Sequence, residues 1–320
     1  MKTRFFATLA AVAGLCAGCS TPDVPRDLKV LHATSSASLT VRYFGVSSMY
    51  ITDGKSSILV DGFFSRPSLA RLIFGPVVPD EGRITSALHD GQVTSANLIL
   101  VAHSHHDHAM DTGAVAKRIG GRIIGSESTK VLVQQQCPQC TVQAPPPMQG
   151  EVKEGAFTVR FLQLAHTRTP IVVRFPGEIT EPLGDRPNVA SYRMGANFAF
   201  LIGNEGRRLL IVPGADHESL LPAGFEADVV FLGIANLGKR TDKQIADYWH
   251  NIIGASKPRR VILIHWDDFT LPLSEGLKAL PPIADDMPKT VRVMQALALH
   301  EKRELAILPL FEPVAILPEE

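Results

Sequence analysis

The stretch VAHSHHDHAMD, Val101 to Asp111, limits what this 320-residue chain can become more than any other. Four histidines and an aspartate fall within His103-Ser104-His105-His106-Asp107-His108. They follow the apolar run Asn97–Val101, whose length suits a buried strand. Solvated or metal-scavenging histidine tracts lie in low-complexity sequence near chain ends. This cluster sits inside a well-mixed globular stretch, so it reads as a built site leaving the end of a strand. On a turn, residues two apart can converge on one ion. The adjacent Asp107 and His108 can turn toward a second ion. Neutral imidazole with carboxylate suits Zn²⁺ and, with lower preference, Fe or Mn.

The same placement recurs along the chain. Three short β-rich segments, Leu39–Phe44, Met49–Thr52 and Ser57–Asp61, are separated by Gly45-Val46-Ser47 and by Asp53-Gly54, the latter a hairpin signal. Helices are predicted at Ser68–Phe74, Arg83–His89, Asp111–Ile119, Glu127–Gln136 and Asp242–Ile253, and a short strand at Arg122–Gly125. The strand Phe157–Ala165 delivers His166. A hairpin, Asn197–Ile202 with Arg207–Val212, delivers Gly214-Ala215-Asp216. After the strand Asp228–Leu232, the strand Arg259–Ile264 ends on His265. Ligands on loops held by a rigid sheet are preorganised while the sheet supplies stability. Two β-rich halves, each with helices, predict an α/β sandwich with its site between sheet edges, one domain from Leu39 to Glu320.

The pattern H-x-H-x-D-H, followed by an isolated His, Asp and His at strand ends, resembles the metallo-β-lactamase superfamily. The resemblance covers Leu39 to about Phe269 and implies a four-layer αβ/βα sandwich with two metal ions, expected to be Zn²⁺, at one edge. It implies His103, His105 and His166 on the first ion, Asp107, His108 and His265 on the second, and Asp216 as a bridge. The implied reaction is attack of metal-activated water on an ester, lactone or phosphodiester, with the catalytic Asp107 or a nearby group handling the proton. A bridging aspartate separates this pattern from true β-lactamases and brings it nearer the phosphodiesterase, lactonase and glyoxalase types. Tyr43–Ser48, Ile58–Pro67 and His265-Trp266-Asp267-Asp268 are similar to the branch holding ascorbate-phosphate lactonases and N-acyl-phosphatidylethanolamine phospholipase D. There Asp61 is expected to orient a ligand histidine, with Asp267 nearby. His106, in an x position, and His217, beside Asp216, are expected at the rim or facing substrate. The competing reading is a non-catalytic metal-binding envelope protein of the same fold. A complete set of seven donors weighs against it, since a retired site loses one or two.

At the N-terminus, Lys2 and Arg4 precede the apolar stretch Phe5–Leu15, and Cys16-Ala17-Gly18-Cys19 ends it with small residues. This resembles a bacterial lipoprotein signal, with residues 1–18 removed and Cys19 lipidated. Cys16 stands where Leu is usual, and the competing reading is a plain secretory peptide cut nearby. Residues 19–38, rich in Ser, Thr, Pro and charge, read as a tether. The implied location is the bacterial cell envelope, lipid-anchored and facing the periplasm or exported. In an oxidising compartment Cys137 and Cys140 are expected to close a small disulfide loop, because a zinc knuckle would need a second pair. Lys plus Arg equals Asp plus Glu, 32 each, so no basic field points to nucleic acid. A small-molecule or lipid substrate is the expected partner, with the membrane reached through the lipid anchor only. The Pro-rich segment between His166 and Asn197 reads as a wall or lid over the metals.

Overall fold

The computed structural model describes residues 25, 28–34, 39–147, 150–166, 175–214 and 216–317. Among them two sheets form. The first contains β2 (Thr40–Tyr43), β3 (Met49–Thr52), β4 (Ser57–Val60), β5 (Leu98–Leu100), β6 (Arg122–Ile124) and β7 (Val142–Gln143), in chain order, with β15 (Val314–Ala315) against β2. β2 to β4 are antiparallel through tight turns, whereas β4 to β7 are parallel. Parallel neighbours need helical crossovers. These are α1 (Leu69–Phe74) and α2 (Glu81–Asp90), then α3 (His106–Ala109) and α4 (Thr112–Ile119), then α5 (Glu127–Gln136). Side chains of Ser68, Asp80 and Ser126 cap the first, second and fifth of them by accepting a backbone N–H of the first turn.

The second sheet joins β1 (Lys29–Val30), β14 (Glu304–Ile307), β13 (Arg260–Ile264), β12 (Val229–Gly233), β11 (Arg207–Val212), β10 (Phe198–Asn204), β9 (Phe157–Gln163) and β8 (Val152–Glu154) in that order. α6 (Asp242–Trp249), prolonged by a π turn at His250–Gly254, crosses from β12 to β13, and α7 (Met287–His300) crosses from β13 to β14. Successive residues of a strand face opposite sides, and the three cores follow that alternation. Leu209 and Ile211 join Val41, Ile51 and Val60 between the sheets. Leu210 and Val212 turn outward to Ile245, Trp249, Val291 and Met294 on α6 and α7. Leu59 and Ile99 pack outward on Ile84, Val115 and Leu132. The result is the helix–sheet–sheet–helix sandwich expected from the sequence.

β9 is antiparallel to β10, and β10 to β11, while β11, β12 and β13 are parallel. The C-terminal ends of β9, β11 and β13 therefore emerge at one edge. The end of β5 joins them, because Phe198 N–H donates to Ala102 O at 2.9 Å.

Three details differ from the sequence reading. Part of the stretch read as tether is seated on the second sheet: β1 pairs in parallel with β14, and Leu28 and Leu31 are buried. The histidine cluster is not all loop, since His106–Ala109 form one helical turn. Beyond Phe269 the chain adds α7, β14 and β15, the last pairing with β2. A helical signal was present there, with Met287, Val291, Met294 and Ala298 as its buried face. Among the described residues, no helix is long and apolar enough to cross a membrane.

Candidate metal centre

His103 and His105 leave the end of β5 with Nε2 of one 3.1 Å from Nδ1 of the other. The ring of His166, beyond the end of β9, lies 4.7 Å from that of His103 and 4.9 Å from that of His105. One donor atom from each of these three residues falls within 4.8 Å of the others. Asp107, His108 and His265 form a second such group. In it Asp107 Oδ2 is 3.7 Å from His108 Nε2 and 3.5 Å from His265 Nε2. The rings of His103 and His108 are 3.9 Å apart, so the two triads adjoin.

These separations fit an ion. Four ligands at 2.0–2.1 Å in a tetrahedron stand about 3.3 Å from one another. The protonation states fit as well. Burial, reinforced by the neighbouring imidazoles, holds His103 well below the usual histidine range, and burial with His166 beside it takes His105 down to about 3. Burial also lowers His265. Burial opposes ionisation of Asp107, but His108, His106 and His265 outweigh it and hold the carboxyl well below the usual range. Neutral imidazoles around an ionised carboxylate are the forms that bind a divalent cation.

His108 is the exception: burial pushes it down, yet Asp61 and Asp107 outweigh that and raise it. Asp61 sits just past β4, fully buried, with φ 55°. Its Oδ1 accepts Ala102 N–H at 2.7 Å, and its Oδ2 lies 2.8 Å from His108 Nδ1 and accepts the Ser47 hydroxyl. A carboxylate on Nδ1 fixes the tautomer with its lone pair on Nε2, the atom that faces Asp107. Asp61 therefore stands where a residue orienting a ligand histidine has to stand.

Asp267 is placed differently. It forms a buried ion pair with Arg66 and accepts Val46 N–H at 2.7 Å, so it braces the β2–β3 turn and touches neither triad. His106 belongs to neither triad: its Nδ1 lies 3.6 Å from Asp107 Oδ1 and its ring 5.8–6.4 Å from those of Phe63, Tyr192 and Phe269. Asp216 belongs to neither triad. Its N–H donates to Ala165 O at 2.8 Å, next to His166, while its carboxylate lies 2.9 Å from His217 Nδ1 and accepts Glu218 N–H at 3.3 Å. His217 is held from α6 and its extension by Gln244 at 3.3 Å and by Asn251, which donates to His217 O at 2.9 Å. A cavity of about 350 Å³ opens against Asp216, with Leu164, Glu218 and Ser219 in its wall. Cys137 and Cys140 are joined as a disulfide at the end of α5. Cys19 and residues 167–174 of the expected lid lie outside the described residues.

Within the motifs Tyr43–Ser48 and Ile58–Pro67 the sequence reading gave no individual role to Tyr43, Ser47 or Arg66, and it gave Asn197 only as a strand start. Asn197 Nδ2 donates to Leu164 O at 3.2 Å and to Gly214 O at 2.7 Å, tying the segments that carry His166 and Asp216. The turn Gly45-Val46-Ser47 and the Arg66-Pro67 pair were visible as motifs. Their partners, far away in sequence, were not.

Among the solved structures that align along most of the chain, two are instructive. A protein of Veillonella parvula described as a possible metal-dependent hydrolase matches with a TM-score of 0.53 over 87% of this chain and 99% of its own, at 13% identity. CmlA, a diiron β-hydroxylase of Streptomyces venezuelae, matches with a TM-score of 0.50 over 89% of this chain and 55% of its own, at 16% identity. The chain has the metallo-β-lactamase fold. At such identities the likeness establishes the fold alone, and the metallo-β-lactamase fold carries several chemistries.

No family model matches the sequence. Curated relatives match over part of it. A UPF0173 metal-dependent hydrolase of Symbiobacterium thermophilum is 38% identical over 88 residues, 28% of this chain and 32% of that protein. Another from Rhizobium meliloti is 27% identical over 135 residues, 42% of this chain and 50% of that protein. The chain thus spans between about a third and a half of the length of these relatives.

Proposed function

We propose that this chain is a metal-dependent hydrolase holding two ions, Zn²⁺ by its nitrogen-rich donor set, with Fe or Mn as the alternatives. The observation that carries the reading is the adjoining pair of triads, His103–His105–His166 and Asp107–His108–His265, at one sheet edge. The names of the partial relatives support it. Two ions so placed supply Lewis-acid polarisation and make water acidic enough to react near neutral pH.

The chain's own residues do the rest. His108, its Nδ1 held by Asp61, and His265 both present Nε2 to Asp107 Oδ2, at 3.7 and 3.5 Å. Asp107, whose Oδ1 lies 3.6 Å from His106 Nδ1, or a nearby group handles the proton. Asp216, tied through its N–H to Ala165 O beside His166, would be the further carboxylate available to the pair of ions. Phe63 and Phe269 wall one side of the centre beside His106. The substrate is an ester, lactone or phosphodiester.

Elemental analysis of the purified chain is expected to give two equivalents of metal, and a chelator is expected to abolish hydrolysis across a panel of those three bond types. Full activity after complete metal removal would overturn the proposal. The lipoprotein-type N-terminus supports a place in the cell envelope. Incorporation of labelled fatty acid that disappears in Cys19→Ala tests this, and labelling that persists in the variant overturns it.

A further inference from the structure

We infer that the turn between β2 and β3, Tyr43–Ser48, is a bracket for the second triad alone, with Ser47 and Tyr43 as positioning residues for His108 and His265. The inference rests on reading both triads as metal sites.

His108 and His265 reach the centre from opposite sheets, and this one turn holds both. Ser47 is fully buried. Its Oγ donates to Asp61 Oδ2 and lies 3.0 Å from His108 Nδ1, so it secures the carboxylate and the imidazole together. His265 is held through its backbone. Its N–H points at Val46 O, 2.6 Å away, and at the Tyr43 hydroxyl, 3.1 Å away, while that hydroxyl donates to Val46 O at 2.8 Å.

The hold is needed because His265 has φ 55°, in the left-handed region. A non-glycine residue stays there only when its surroundings over-determine it. Val46 itself has φ 53°, and it is braced by its N–H to Asp267 Oδ1 and by the Asp267–Arg66 ion pair. By contrast, His103 and His105 hydrogen-bond to each other, and neither bonds to the turn. Loosening the turn therefore frees two ligands of one ion and leaves at least two ligands of the other in place.

The test uses the full chain stripped of metal and titrated with Co²⁺ against a competing chelator, followed by visible absorption. Tyr43→Phe removes one hydroxyl with little change of packing, and Ser47→Ala removes the other. Ser256→Ala is the control, since Ser256 Oγ is a buried donor to Ile252 O at 2.6 Å, before β13 and thus at the far end of the strand from His265. In Tyr43→Phe and Ser47→Ala the second Co²⁺ equivalent is expected to bind roughly 10–100-fold more weakly, with the first unchanged. The spectrum left at one equivalent is expected to match that of His265→Ala. A purely structural loss would lower the thermal midpoint of all three hydroxyl variants without separating the two equivalents.

If both equivalents weaken together, or neither does, the bracket is refuted while the metal reading stands. If the wild-type chain takes up no Co²⁺, the metal reading fails and this inference fails with it.

Discussion

Asp61→Asn isolates the carboxylate's control over a tautomer. Asp61 accepts three hydrogen bonds, from Ala102 N–H at 2.7 Å, from His108 Nδ1 at 2.8 Å and from the Ser47 hydroxyl. Asparagine can keep the first through its carbonyl oxygen, and the Ser47 hydroxyl can rotate to accept from the new amide. His108 cannot keep its proton, because the amide NH₂ now faces Nδ1. To satisfy that donor the imidazole must present a lone pair at Nδ1 and carry its proton on Nε2, the atom 3.7 Å from Asp107 Oδ2. A protonated Nε2 cannot bind a cation. Outer partners of metal-bound histidines are typically worth roughly 10–100-fold in affinity, or about 1.4–2.7 kcal/mol. The fold should survive, since the exchange of charged for neutral hydrogen bonds costs about 1–3 kcal/mol. Chelator competition measures the affinity of the second equivalent, and long-range ¹⁵N–¹H correlation on the metal-free chain reports the tautomer. If the Asp61→Asn chain binds both equivalents like wild type, or retains the His108 proton on Nδ1, the reasoning is refuted.

Other outcomes follow from the same contacts. Arg66→Met leaves Asp267 charged and buried, and should destabilise the chain by about 3–5 kcal/mol in denaturant titration; adding Asp267→Asn should recover most of that loss. Gly45→Ala puts a methyl 2.6 Å from Asp267 Oδ2 and 2.7 Å from Arg66 Nη2 at φ +83°, whereas Gly54, with the same φ, has nothing within 4 Å. Both substitutions carry the left-handed penalty, so the excess loss of melting temperature at Gly45 measures the collision with the ion pair. Asp285, buried and accepting Asn236 N–H at 2.6 Å and Gly238 N–H at 2.9 Å, is pushed by burial from 3.8 up to about 6. A raised folded-state value means its contribution is fully present below pH 3.8 and is lost as pH rises through about 6, amounting to about 3 kcal/mol. The metal-free stability of wild type minus that of Asp285→Asn should therefore fall across that window, and a flat difference would contradict the assignment.

The sequence by itself marked where histidine and carboxylate donors would gather. The cluster after Asn97–Val101 and the lone histidines after two later strands could be read because ligand identity and strand periodicity are local properties. Six of the seven expected donors indeed meet in two triads. The α/β layering was legible for the same reason, as Leu209–Val212 alternate between two cores along one strand. What only the tertiary structure decided is non-local. Tyr43 reaches the backbone of His265 and Arg66 reaches Asp267, across 222 and 201 positions respectively. The side-chain direction of Asp216 was open in the same way, because the spacing of strands along a chain fixes their order but not which atoms face each other. No local pattern records a left-handed φ at a histidine, because that backbone is held in place by a turn packed against it from the opposite sheet.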